Sequence, residues 1–278
     1  MVNNEKNSKQ DNLFEPLPSP SNKKKSFYKK KNFFTAITAL VVVLLKFKSI
    51  LIALKLSKFV STFISMFFMI WVYSLTFGWK YATGFVMLIA IHESGHITAA
   101  RILGLNISMP IFIPFVGAFI AMKQQPKTAR VEAIVAASGP IIGSIAAFIC
   151  FAIGFMWQSN LFFALAYTGF LINLFNLIPI HPLDGGRIVS AISPKMWFVG
   201  IPIILLIAIK FPNPLLFLLL ILGAFQAYKI WKVQNNQYYN VSLEERLIFA
   251  ILYFGLMILL GSAMAWIHSI HSVKNFEL

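Results

Sequence analysis

The stretch YATGFVMLIAIHESGHITAARIL, residues 81–103, decides how this chain is read. Its length suits a helix crossing the hydrocarbon core of a bilayer, which takes about 20 mostly apolar residues. Yet its middle carries His92, Glu93 and His96. Ionisable groups at that depth are expensive and turn toward protein or a water-filled cavity rather than lipid. On a helix, the spacing H-E-x-x-H places both histidines on one face, one turn apart, where they can share a metal ion. Neutral imidazoles suit Zn²⁺, and Glu93 lies close enough to deprotonate a metal-bound water without being a ligand.

Working outward, further apolar stretches of span length occur at about 59–79, 131–157, 161–180, 196–210, 212–231 and 246–267. The chain has 278 residues, of which 58% are hydrophobic and only 12% charged, a composition far from that of a soluble globular domain. These features predict an all-α membrane protein, a polytopic transmembrane helix bundle. Between Gly104 and Lys127 the pattern breaks into short apolar pieces interrupted by Pro110, Pro114 and Gly117. A short re-entrant or strand-like segment is expected around 105–125, lining a cavity that satisfies its backbone.

The net charge of +15 is concentrated partly in Lys23 to Lys25 and Lys29 to Lys31, just before the first apolar run. That placement fits anionic membrane lipids, and nucleic acid is not expected as a partner. Residues 1–32 read as a disordered basic cytosolic tail without the layout of a signal peptide. Residues 33–278 read as one polytopic domain whose catalytic core spans about 81–190. The stretch Phe33 to Lys58 is interrupted by Lys46, Lys48, Lys55 and Lys58 and reads as an interfacial or tilted helix, with a snorkelling span as the alternative. Trp71, Trp79, Trp157 and Trp231 near segment ends form an aromatic belt.

Cys150 is the only cysteine, which excludes an intramolecular disulfide and a thiolate zinc cluster. A catalytic zinc needs three protein ligands and an open position, so a third ligand must come from elsewhere in the fold. Of nine acidic residues, Asp184 follows an apolar span at a Pro- and Gly-rich break, NLIPIHPLDGGR over 176–187. Pro179 and Pro182 interrupt the helix there, and the glycines allow a carboxylate to turn inward. His181, three residues earlier, could replace or join Asp184, or act as a hydrogen-bond partner behind the ligands. Glu132 reads as a solvated charge at a helix start, Arg187 as a partner of Asp184 or of headgroups, and His268 and His271 as interfacial polar residues.

Together, the HESGH and NLIPIHPLDGG motifs resemble those of the site-2 protease family, peptidase family M50, of intramembrane zinc metalloproteases. Ser138-Gly139-Pro140-Ile141-Ile142-Gly143 is similar to the small-residue segment between them, so the resemblance covers about Ile91 to Arg187. Gly143 stands where many relatives have Asn, which puts in question a polar role at that position. The resemblance implies one Zn²⁺ per chain held by His92, His96 and Asp184, with Glu93 activating a zinc-bound water to hydrolyse peptide bonds of membrane-spanning substrates. It also implies a role for Asn176 in holding the substrate backbone or the developing oxyanion. A transmembrane protein or peptide is the expected substrate, membrane lipids surround the enzyme, and the cell membrane with a cytosolic N-terminus is the expected location. The alternatives are a metal-ion or proton-coupled transporter, or a catalytically inactive client-binding homologue.

Overall fold

The computed structural model describes residues 58–120, 126–232 and 237–274. The expected basic tail and the stretch 33–57 lie outside the described residues. Eight α-helices follow one another among the described residues: α1 (Lys58–Phe77), α2 (Trp79–Ile102), α3 (Ala129–Trp157), α4 (Asn160–Asn176), α5 (Asp184–Ile192), α6 (Trp197–Lys210), α7 (Pro214–Lys232) and α8 (Leu243–Lys274). Three of them, α1, α3 and α8, are long and apolar enough to cross a membrane. The protein is an all-α integral membrane bundle. Helices cover the stretches expected to span within a few residues, except that 161–180 stops at Asn176, ahead of Pro179; α5 is a helix that the apolar pattern does not predict.

The segment expected to be strand-like is a small antiparallel hairpin between α2 and α3. Strands β1 (Ile111–Ile113) and β2 (Gly117–Phe119) pair with Phe112 opposite Ala118. Phe115 and Gly117 at the turn have φ of 65° and 109°, a region open to glycine and uncommon for phenylalanine. The hairpin is fastened to α1 by hydroxyls. Ser65 Oγ accepts from the Phe112 amide at 3.1 Å, Thr62 Oγ1 donates to the Pro110 carbonyl at 2.7 Å, and Tyr73 Oη accepts from the Phe115 amide at 3.0 Å. Phe112 is buried in an apolar cluster with Met69, Ile70, Val86 and Ile89. Backbone groups of the hairpin at Pro110, Phe112 and Phe115 thus find hydroxyl partners on α1.

At the centre is α3, whose buried residues are almost all small: Ala129, Ala133, Ala136, Gly139, Gly143 and Ala147 among them. Small side chains let neighbouring helices approach to backbone contact, the usual source of helix association in lipid. At the α2–α3 crossing, a Cβ on Gly95 would collide with the Ser138 carbonyl, and one on Gly139 would collide with the His96 ring. Glycine inside a helix costs about 1 kcal/mol relative to alanine, a cost offset here by the close approach. Thr128 begins α3 by accepting the Val131 amide at its hydroxyl, as N-cap residues do. The main core lies where α3, α4, α5 and α8 meet and includes Phe170, Leu177, Ile188, Trp197 and Tyr253.

Candidate metal centre

His92 and His96 project from α2 toward Asp184, the first residue of α5. All three are buried. His92 Nε2 and His96 Nε2 each lie close to Asp184 Oδ2, at 3.1 and 3.2 Å, and are 3.1 Å from one another. Asp184 also sits in the first turn of its helix, where the backbone amides favour a negative charge.

The far sides of the rings determine what the near sides offer. His96 Nδ1 lies 2.8 Å from the Val135 carbonyl on α3 and must donate to it. His92 Nδ1 lies 2.8 Å from Asn173 Oδ1 on α4, and Asn173 Nδ2 donates to the Gly169 carbonyl at 2.7 Å. That second bond orients the carboxamide with its oxygen toward His92, so His92 Nδ1 is the donor. With both Nδ1 atoms protonated, neutral rings present Nε2 lone pairs inward. Two lone pairs and a carboxylate oxygen then converge, a mutually repulsive set that a divalent cation relieves. Two imidazoles and one carboxylate are a donor set that Zn²⁺ accepts. The residues present fit a zinc ion.

The asparagine that meets His92 is Asn173, not Asn176 one turn further along. The signal was there: an Asn inside an apolar run has to be paired. Asn173 also explains Gly143. A side chain at Gly143 would strike the Asn173 carboxamide, so the polar group at this place is supplied by α4 rather than by α3. Asn176 ends α4 and is half-buried. Glu93 is half-buried on α2 and within electrostatic range of His92, His96, Asp184 and Arg187. His181 is not in the converging group. Its ring lies 6.0 Å from that of Trp197. His268 is exposed on α8.

The irregular segment from Leu177 to Leu183 delivers Asp184. Its backbone leaves the helix at a point where free carbonyls need partners. Tyr253 Oη of α8 donates to the Leu177 carbonyl at 2.6 Å, and Trp197 Nε1 donates to the Gly186 carbonyl at 2.7 Å. Side chains at Gly185 and Gly186 would collide with the backbone of this same segment, which accounts for the paired glycines. The His181–Pro182 peptide bond is cis.

Two expectations for charged residues are corrected. Glu132, in the first turn of α3, is largely buried rather than solvated, and the partner that holds Arg187 is Glu132 rather than Asp184 or a headgroup. Arg187 Nε donates to Glu132 Oε1 at 3.1 Å, with both side chains largely buried, and Tyr238 Oη donates to Glu132 Oε2. Burial makes pairing obligatory for such groups.

The family model of peptidase family M50 matches residues 80–160 and 157–199 of the chain. A zinc metalloprotease of Methanocaldococcus jannaschii is 31% identical over 125 residues, covering 42% of this chain and 36% of that protein. A probable chloroplastic zinc metalloprotease of Oryza sativa subsp. indica is 28% identical over 154 residues, covering 40% of this chain and 28% of that protein. The chain therefore spans about a third of the length of the curated relatives it matches. The solved site-2 protease of Methanocaldococcus jannaschii is similar at a TM-score of 0.41 and 24% identity, over 63% of this chain and 90% of that one.

Proposed function

We propose that this chain, which belongs to peptidase family M50, is an intramembrane zinc endopeptidase that hydrolyses peptide bonds of membrane-spanning substrates. The observation that carries this reading is the convergence of His92 Nε2, His96 Nε2 and Asp184 Oδ2 beside Glu93. His92, His96 and Asp184 would hold one zinc ion. When bound, zinc supplies a Lewis acid that lowers the pKa of water and stabilises negative charge on a carbonyl oxygen.

The remaining work falls to the protein's own groups. Glu93 accepts a proton from the attacking water and returns it to the leaving amine. Asn173 and the Val135 carbonyl hold the two imidazoles in the tautomer that turns Nε2 inward. Asn176, at the free end of α4, donates a hydrogen bond to the substrate carbonyl as charge develops on it. His181 supports the segment leading to Asp184 from behind. The catalytic core is assigned to about 81–190, within a polytopic domain preceded by a basic tail.

Orientation follows from charge. The α3 start, the α5 end and the α8 start share one end of the bundle, joined by Arg130 to Glu245 at 2.5 Å and by Arg246 to the Ile192 carbonyl at 2.9 Å. Arg101, Arg130, Lys195 and Arg246 belong to that end, whereas Lys80 and Lys210 lie at the other. The excess of basic residues marks the cytosolic side. The cell membrane, with a cytosolic N-terminus, is the proposed location.

The test is metal analysis and cleavage of single-span model substrates by detergent-purified protein. Wild type should carry about one zinc and cleave, Glu93→Gln should carry zinc without cleaving, and His96→Ala should lose both. Cleavage retained in Glu93→Gln would overturn the role given to that residue.

A further inference from the structure

We propose that Arg187, Glu132 and Tyr238 form a positioning clamp that sets the spacing of the candidate metal centre, an inference that rests on the zinc-site reading above. Glu132 precedes Val135, the acceptor of His96 Nδ1, by three residues on α3, and Arg187 follows Asp184 by three residues on α5. Three residues are nearly one helical turn, a rise of about 4.5 Å. The ion pair therefore ties α5 to α3, the helix whose Val135 carbonyl holds His96, about one turn away from the centre. If α3 and α5 slide or separate, the Arg187–Glu132 contact and the approach of Asp184 to His96 change together.

The chemistry of the pair supports a geometric role. Both side chains are largely buried, with exposures of 16% and 13%, and such a pair adds little net stability over well-packed apolar side chains. What it does provide is a directional link, with guanidinium and carboxylate meeting in a restricted geometry. Tyr238, in the short helical turn Gln237–Tyr239 before α8, fills the second oxygen of Glu132. Burial, and after it the Glu132 carboxylate, pushes the Tyr238 phenol well above its ordinary range, so it stays a donor at neutral pH. The carboxylate is thus held at both oxygens, Oε1 by Arg187 and Oε2 by Tyr238. All three act through the helices they join and are positioning residues.

A comparison pair is built into the same helix. Arg130 and Glu245 join α3 to α8 and do not reach α5. The experiment measures zinc affinity of detergent-solubilised protein by competition with a chelating indicator, alongside helical content by circular dichroism. Arg187→Met is expected to weaken zinc binding about tenfold or more at unchanged helicity, as loss of groups behind metal ligands does. Arg187→Lys should restore part of it, and Glu132→Gln combined with Arg187→Met should lose no more than either alone. Arg130→Met should stay within about twofold of wild type. Arg187→Met within about twofold of wild type, or Arg130→Met losing as much as Arg187→Met, overturns the clamp. Should Arg187→Met fail to fold, Tyr238→Phe decides, with a loss of about threefold or more expected and an unchanged affinity overturning the proposal. Wild type that takes up no zinc overturns the zinc-site reading and the clamp with it, whereas zinc-loaded wild type with an unaltered Arg187→Met overturns the clamp alone.

Discussion

Helices α3 and α8 are similar in length and in apolar character, yet 50% of α3 is buried within the protein and only 22% of the matching window of α8. What differs is side-chain size. The buried face of α3 is alanine, glycine and serine, while α8 exposes Leu247, Ile248, Ile251, Phe254 and Ile258. In water, hydropathy separates inside from outside, but in a bilayer lipid is as apolar as the protein core. Close approach then decides which face packs on protein, and small residues permit it. Gly139 and Gly255 make the contrast at single positions, since a Cβ on the first would strike the His96 ring and one on the second would meet nothing within 4 Å.

The contrast can be broken most severely at Gly139. Gly139→Val displaces the His96 ring, and overpacking of this kind costs about 1–3 kcal/mol. The variant is expected to lose stoichiometric zinc and all cleavage, read by metal analysis and a gel-based cleavage assay. One zinc retained per chain would show that His96 does not depend on that gap.

Gly143→Ala is expected to come next. The added methyl presses on the Asn173 carboxamide, so zinc affinity should fall roughly 10- to 100-fold with helicity intact. An affinity equal to wild type would remove Asn173 from the support of His92. Tyr253→Phe tests α8 from its inner face. It leaves the buried Leu177 carbonyl without its donor and should lower unfolding stability by about 1–3 kcal/mol, measured by denaturation in detergent. Smallest of all is Gly255→Ala on the outer face, which should change stability by no more than about 1 kcal/mol, in the stabilising direction, and leave cleavage untouched. A clear loss of activity there would mean that this face of α8 is covered.

How much of this was legible beforehand depends on the range of the signal. The spans were readable because each is a local run of apolar residues, and the HESGH and LDGG motifs because each packs its chemistry into a few adjacent positions. The hairpin at Ile111–Phe119 was announced by Pro110, Pro114 and Gly117, though not its register. Helix α5 went unread because it begins with Asp184-Gly185-Gly186, poor helix-forming residues that tertiary contacts hold in place. Asn173 and Asn176 are three positions apart on one apolar helix, and only the rotation of that helix selects the one that meets His92. The Arg187–Glu132 pair joins residues 55 apart in sequence, and nothing local in either segment announces the other.

The bond from Tyr253 to the Leu177 carbonyl also has a temporal meaning. Its two ends are 76 residues apart, and synthesis runs at about 5–20 residues per second. Both histidines and Asp184 therefore leave the ribosome several seconds before the hydroxyl that steadies the approach to Asp184 exists. The three converging side chains are therefore all present in the chain before the bond that steadies the segment leading to Asp184 can form.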